Sequence, residues 1–90
     1  MPTQHLIIKG KVQGVFYRAS AREQAEKLGL TGWVRNTGEG NVEIMVHGEP
    51  GKLAAFVEWC KKGPSKAKVD AVLVEEAEPL LSDEFKIIRG

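Results

Sequence analysis

Gly38-Glu39-Gly40-Asn41, a strong turn signal near the middle of the 90-residue chain, constrains the fold more than any other stretch. Before it, Leu30 to Thr37 reads as a strand, with Trp33, Arg35 and Thr37 alternating against Gly32, Val34 and Asn36. After it, Val42 to His47 reads as another, with Val42, Ile44 and Val46 inward and Glu43, Met45 and His47 outward. Strands joined by so short a turn form a hairpin. Everything else must pack around that hairpin.

Upstream, His5 to Val12 is a predicted strand, with Leu6, Ile8 and Val12 on one face, Gly10 between them, and Ile7, Lys9 and Lys11 on the other. Past Gly14, Ala21, Ala25 and Leu28 recur at helical spacing. Ser20 followed by Glu23 matches a capping box and is expected to start this helix, with Tyr17 or Arg18 as alternative first residues. Gly29 stops it. Downstream, Pro50 suits a first helical turn, Leu53, Phe56, Val57 and Cys60 form a buried stripe, and Gly63-Pro64 ends the helix after Lys61 and Lys62. Val69 to Val74 is the next strand, ending at the acidic Glu75-Glu76. A loop over 79–83 then leads to a short final strand, Phe85 to Ile88.

Each crossover contains a helix, so each connects parallel strands with right-handed sense. Two such units around a hairpin give an α+β ferredoxin-like βαββαβ sandwich. Its sheet is expected to be antiparallel, with two helices on one face and a short extra C-terminal strand. The first and third strands should be central, and the second should lie at an edge. No linker, repeat or low-complexity tract interrupts the pattern, so residues 1–90 read as a single domain.

Composition narrows the class. Thirteen Lys and Arg against twelve Asp and Glu leave a net charge of +1, which gives no push toward nucleic acid or a membrane surface. No apolar run approaches the ~20 residues that span a bilayer, and Met1-Pro2-Thr3-Gln4-His5 lacks a signal-peptide pattern. The single cysteine, Cys60, cannot form an internal disulfide and fits a reducing compartment. A cytoplasmic enzyme or binding module is expected, and a helix-covered sheet of this size is expected to be a monomer.

The stretch Gly10-Lys11-Val12-Gln13-Gly14-Val15-Phe16-Tyr17-Arg18 passes from strand to helix through a glycine turn. A helix start presents unpaired backbone N–H groups and the positive end of the dipole, and a guanidinium beside it fits phosphate oxygens. Gly14, Val15, Phe16, Tyr17 and Arg18 are therefore read as a phosphate cradle. On the bland reading, Arg18 is a solvated residue pairing with a nearby carboxylate. Asn36 is a strand-end residue that either satisfies the turn at Gly38 or faces the cradle, and the spacing leaves open on which side of the sheet it lies. His5 and His47 read as isolated surface histidines, and with Cys60 they show no metal-ligand spacing. Trp33 and Trp59 read as packing residues, and Glu75, Glu76 and Glu78 as an acidic patch. No Ser/His/Asp or Cys/His arrangement is present to supply a nucleophile and base. An anion cradle so equipped can release phosphate only from a leaving group that needs no protonation. The carboxylate of an acyl phosphate, with a pKa of about 4, is such a group.

Val12-Gln13-Gly14-Val15-Phe16-Tyr17-Arg18, Gly32-Trp33-Val34-Arg35-Asn36-Thr37 and Gly40-Asn41-Val42-Glu43 together resemble the acylphosphatase family. Gly63-Pro64 before Ala67-Lys68-Val69, and Phe85-Lys86-Ile87, extend the resemblance over nearly the whole chain. It implies the ferredoxin-like fold and hydrolysis of small acyl phosphates to a carboxylate and inorganic phosphate, without cofactor or metal. It implies that Arg18 binds phosphate, that Asn36 orients the attacking water, and that the amides of about Val15 to Arg18 form the phosphate loop. A substrate phosphate oxygen is expected to take the water's proton. Arg35 and Lys68 stand where the family usually has basic residues, and Gly90 after Arg89 leaves the chemistry untouched. Two other readings are weighed beside this one. A non-catalytic binding module on the same fold is the alternative, since such domains also occur inside larger carbamoyl-transferring proteins, although a chain of this length is read as independent. RNA binding fits less well, because the central strands lack clustered aromatics.

Overall fold

In a computed structural model, residues 1–79 and 82–89 are described; Leu80 and Leu81 of the expected 79–83 loop, and Gly90, lie outside them. The elements are β1 (Thr3–Lys11), α1 (Tyr17–Lys27), β2 (Thr31–Asn36), β3 (Val42–His47), α2 (Pro50–Lys62), β4 (Lys68–Ala77) and β5 (Phe85–Ile88). They form one five-stranded sheet in the order β4-β1-β3-β2-β5. The hairpin of β2 and β3 forms as its turn demands, in the register Val34↔Ile44 and Asn36↔Val42.

One face of the sheet is apolar because the alternation in each strand is in phase. Leu6 pairs with Ile44, Ile44 with Val34, and Ile8 with Val42, and all five are buried. Onto this face α2 presents Leu53, Phe56 and Cys60, all buried, and α1 presents Ala21 and Ala25. The small side chains of α1 allow close approach to β2 and β5, while α2 lies against β4.

Two expectations are corrected and one open alternative is resolved. The sheet is mixed rather than antiparallel, because β5 pairs with β2 in parallel. That pairing also makes β2 an interior strand instead of an edge. The reason is Phe85, which is buried and meets Phe56 edge-on at 6.1 Å; burying a Phe side chain is worth about 1.5–3 kcal/mol, enough to fix a four-residue strand. Second, of the starts left open for α1, the helix takes Tyr17 rather than Ser20 or Arg18, and its cap makes no side-chain hydrogen bond. Phe16 turns the chain by adopting a left-handed conformation, φ 63°, and the Ser20 N–H already bonds the Phe16 carbonyl at 3.0 Å. Third, β4 runs on through Glu75 and Glu76 to Ala77, since β1 continues to supply partners as far as Thr3↔Ala77. Gly29 and Gly63 end their helices as expected.

Candidate active site

Strands β1 and β2 each run antiparallel to β3, so both point the same way and their ends lie at the same edge of the sheet. The chain leaves β1 there and enters α1. At this edge is a cleft of about 400 Å³ lined by Val12, Gly14, Phe16, Tyr17, Arg18, Ala19, Asn36, Ile87 and Arg89.

Asn36 is on the cradle's side of the sheet. It pairs with the buried Val42, two residues beyond the buried Val34, so it shares their helix-covered face. Its Oδ1 is buried and accepts no hydrogen bond from any described residue. A buried amide oxygen without a donor is an unmet hydrogen-bonding group, uncommon in a folded protein.

The cradle is made by two left-handed residues, Gly14 at φ 74° and Phe16 at φ 63°. Mixed-handed backbone of this kind is of the sort that can turn successive N–H groups toward one side. Immediately after it, the first-turn amides of Tyr17, Arg18 and Ala19 have no acceptor among the described residues. Of the expected cradle residues, Gly14, Phe16, Tyr17 and Arg18 line the cleft, while Val15 turns its side chain into the core. Phe16 is 75% exposed at the rim.

Behind the cradle, the buried Tyr17 donates its hydroxyl hydrogen to the Cys60 carbonyl at 2.7 Å, and its ring sits 5.5 Å from that of Trp59. A Cβ on Gly63 would stand 2.7 Å from Tyr17 Cε2, so the glycine makes room for the ring. Burial, then the nearby Cys60, raises the Tyr17 pKa far above the usual phenol range, so this donor keeps its proton. Burial likewise pushes the Cys60 thiol up to about 12, against a hydrogen bond with Tyr17 that lowers it. The chain's one thiol is thus a packed, protonated group.

Among the described residues no carboxylate lines the cleft, whereas two guanidiniums do. The second, Arg89, was missed because only the parallel register Arg35↔Ile88 brings the end of β5 beside Asn36, and no local sequence signal announces that pairing. Gln13 was missed as well: its Nε2 donates to the carbonyls of Thr37 at 2.9 Å and Asn41 at 2.8 Å. Elsewhere, the two histidines are not isolated. His5 pairs with Glu43 at 2.6 Å and His47 with Thr3 at 2.7 Å, and neither lines the cleft. Among the described residues, no three His, Cys, Asp or Glu side chains are grouped to hold a metal ion, and no helix is long and apolar enough to cross a membrane.

Known proteins resemble this chain in sequence and fold. The acylphosphatase family model matches residues 4–87. An acylphosphatase of Marinobacter nauticus is 57% identical over 72 residues, covering 80% of this chain and 78% of that one. The crystal structure of acylphosphatase from Bacillus subtilis superposes with a TM-score of 0.94 at 37% identity, covering 99% of this chain and 100% of that one. Full-length HypF, in its phosphate- and nucleotide-bound form, contains a similar region: TM-score 0.87 at 32% identity, covering 98% of this chain but 12% of HypF. By its match over residues 4–87, its identity to curated relatives and its five-stranded sheet, the chain belongs to the acylphosphatase family.

Proposed function

We propose that this chain hydrolyses acyl phosphates, with Arg18 and the loop amides of Gly14 to Arg18 holding the phosphoryl group and Asn36 orienting the attacking water. The observation that carries this is the pairing within one cleft of unfilled first-turn amides beside Arg18 with the unpartnered Oδ1 of Asn36. The anion and the water need opposite partners, N–H donors and an acceptor, and the cleft offers each on a different wall.

The reaction follows from those partners. The dianionic phosphoryl group sits on the amides and the guanidinium, which also face the charge that its oxygens carry in the transition state. Asn36 Oδ1 accepts a hydrogen bond from water and aims a lone pair of its oxygen at phosphorus, in line with the acyl oxygen. The new P–O bond forms as the bond to the acyl oxygen breaks, and the electron pair departs with the carboxylate. One water proton passes to a phosphoryl oxygen, giving dihydrogen phosphate and a carboxylate with the charge conserved. No side-chain acid is required, because the leaving group is stable as an anion. The reading describes a monomer acting in the cytoplasm on a small substrate without metal or cofactor.

The test is release of phosphate from benzoyl phosphate and acetyl phosphate, with and without EDTA, by the parent, Arg18→Ala and Asn36→Ala. Arg18→Ala should lower kcat/KM on the order of a thousandfold and weaken competitive inhibition by inorganic phosphate. Asn36→Ala should lower kcat about a hundredfold and leave phosphate inhibition near the parent value. A fully active Arg18→Ala enzyme would overturn the assignment. The resemblance to a region within HypF favours a second reading, an anion-binding module without turnover. A parent that binds phosphate but hydrolyses neither substrate would select it.

A further inference from the structure

Both halves of the site lie at or beyond the last rung of the central sheet. Pairing of β1 with β3 stops at Ile8↔Val42, and pairing of β2 with β3 stops at Asn36↔Val42. Past that rung β1 is tied only outward, to β4, as far as Lys11↔Lys68. Among the described residues, no backbone–backbone hydrogen bond joins residues 12–18 to residues 36–41. The separation between cradle and Asn36 is therefore not set by the ladder.

Gln13 crosses this opening. Both hydrogens of its amide nitrogen are used, on Thr37 O at 2.9 Å and Asn41 O at 2.8 Å. These acceptors belong to one rigid bend: the Thr37 N–H bonds Asn41 O at 2.9 Å, and Thr37 Oγ1 accepts from the Asn41 N–H at 3.1 Å. Gln13 immediately precedes Gly14, and Thr37 immediately follows Asn36. One side chain thus links the first residue of the cradle to the residue next to Asn36, and it is the only polar side-chain link across this gap among the described residues.

We propose that Gln13 is a positioning residue that fixes the distance from the phosphate cradle to Asn36 and so governs turnover rather than phosphate affinity. This rests on the roles proposed above for the cradle and Asn36. The cradle is held separately, through Tyr17 on α2, so loss of the Gln13 link leaves phosphate binding in place. What drifts is the bend, and with it the direction in which Asn36 aims water. Misplacement of about 1 Å in a reacting group costs about a hundredfold in rate.

The experiment uses Gln13→Met, which keeps length without donors, and Gln13→Glu, which keeps shape and sets a carboxylate against two carbonyls. Asn36→Ala and the Gln13→Met/Asn36→Ala double variant complete the cycle. Benzoyl phosphate turnover, inhibition by inorganic phosphate and thermal melting are measured for each. Gln13→Met should lower kcat about ten- to a hundredfold while KM and phosphate inhibition stay within about twofold. On the Asn36→Ala background the same change should cost less than about threefold, because the residue through which it acts is gone. Gln13→Glu should be at least as slow near neutral pH, and should recover relative to the parent as acid protonates it and restores one donor; if Gln13→Met fails to fold, this variant is read for the same split. A slow Asn36→Ala with Gln13 variants at parental kcat overturns this proposal alone, as do fully multiplicative losses or a raised KM at unchanged kcat. An Asn36→Ala enzyme at parental kcat overturns the water-orienting role, and this proposal with it.

Discussion

Gly14–Arg18 and Asn36 reach the same cleft by different routes. The first is irregular backbone, with two left-handed residues of which one, Phe16, carries a side chain that disfavours that conformation. It is held from behind, by Tyr17 packed on Trp59, Gly63 and the Cys60 carbonyl at the end of α2. Asn36 is the last residue of an ordinary strand, held by the register that buries Val34 and Val42 on either side. A half built from backbone should be vulnerable to distant changes that shift the chain, yet indifferent to the identity of its own exposed side chains. A half built from one side chain should show the reverse.

The largest effect expected from this contrast is at Gly63, which does not itself line the cleft but packs behind Tyr17, which does. Alanine there brings a Cβ to 2.7 Å from Tyr17 Cε2 at a backbone φ of 69°. Overpacking and left-handed strain together should cost about 3 kcal/mol of stability, read as a fall in Tm. Because the displaced residue is the anchor of the cradle, inhibition by inorganic phosphate should weaken as well. A destabilised Gly63→Ala protein with parental phosphate inhibition would break the claim that the cradle is held from α2.

A smaller effect separates backbone from side chain within the loop. Nothing stands within 4 Å of a Cβ added at Gly14, so Gly14→Ala meets only the strain of φ 74°, about 1 kcal/mol. Phe16→Gly removes comparable strain while adding freedom to the unfolded chain, so stability should change by less than about 1 kcal/mol. Gly14→Ala should weaken phosphate inhibition, since the strained residue supplies cradle amides, and Phe16→Gly should retain it. The opposite ranking would mean that the exposed Phe16 ring, not the loop backbone, holds the ligand.

The same contrast explains what could be read from the sequence. Arg18 and Gly14 were legible because a glycine turn entering a helix beside a guanidinium is a local pattern, complete within a few residues. The hairpin was legible from its turn, and the inward faces of β1, β2 and β3 from period-two alternation. Spacing alone left open whether Asn36 meets the cradle, since strands β1 and β2 are not neighbours in the sheet, and only the family resemblance paired the two. The placement of Asn36 depends on the order in which strands pair. Arg89 and the interior position of β2 both hang on Phe85 entering the core from a four-residue strand, and nothing in Phe85–Ile88 says which strand it joins. At Ser20 a genuine capping pattern was overridden, because Phe16 turns the chain four residues earlier and the first-turn amides are left without an acceptor among the described residues. A side-chain cap would have filled the positions that the proposed phosphate cradle needs.

The smallest effect tests whether the Asn36 half is as insulated as its regular geometry implies. Arg35 precedes Asn36 and points to the opposite face, where it and His5 both bond Glu43. Burial raises the Glu43 pKa, but the hydrogen bonds and charges of His5 and Arg35 outweigh it and hold the carboxyl below its ordinary value of 4.5. A depressed carboxylate adds stability that is present above the ordinary pKa and is lost as pH falls through the folded one. Arg35 is 44% exposed, so screening limits the network to about 1 kcal/mol near neutral pH. Glu43→Gln should therefore lower the denaturant midpoint slightly at neutral pH, and the gap to the parent should close on acidification. Its kcat should stay at the parent value, because strand alternation separates the network from the cleft by the thickness of the sheet. A measurable loss of turnover in this variant would show that Asn36 depends on its neighbour's ion pair as well as on its register and the Gln13 link.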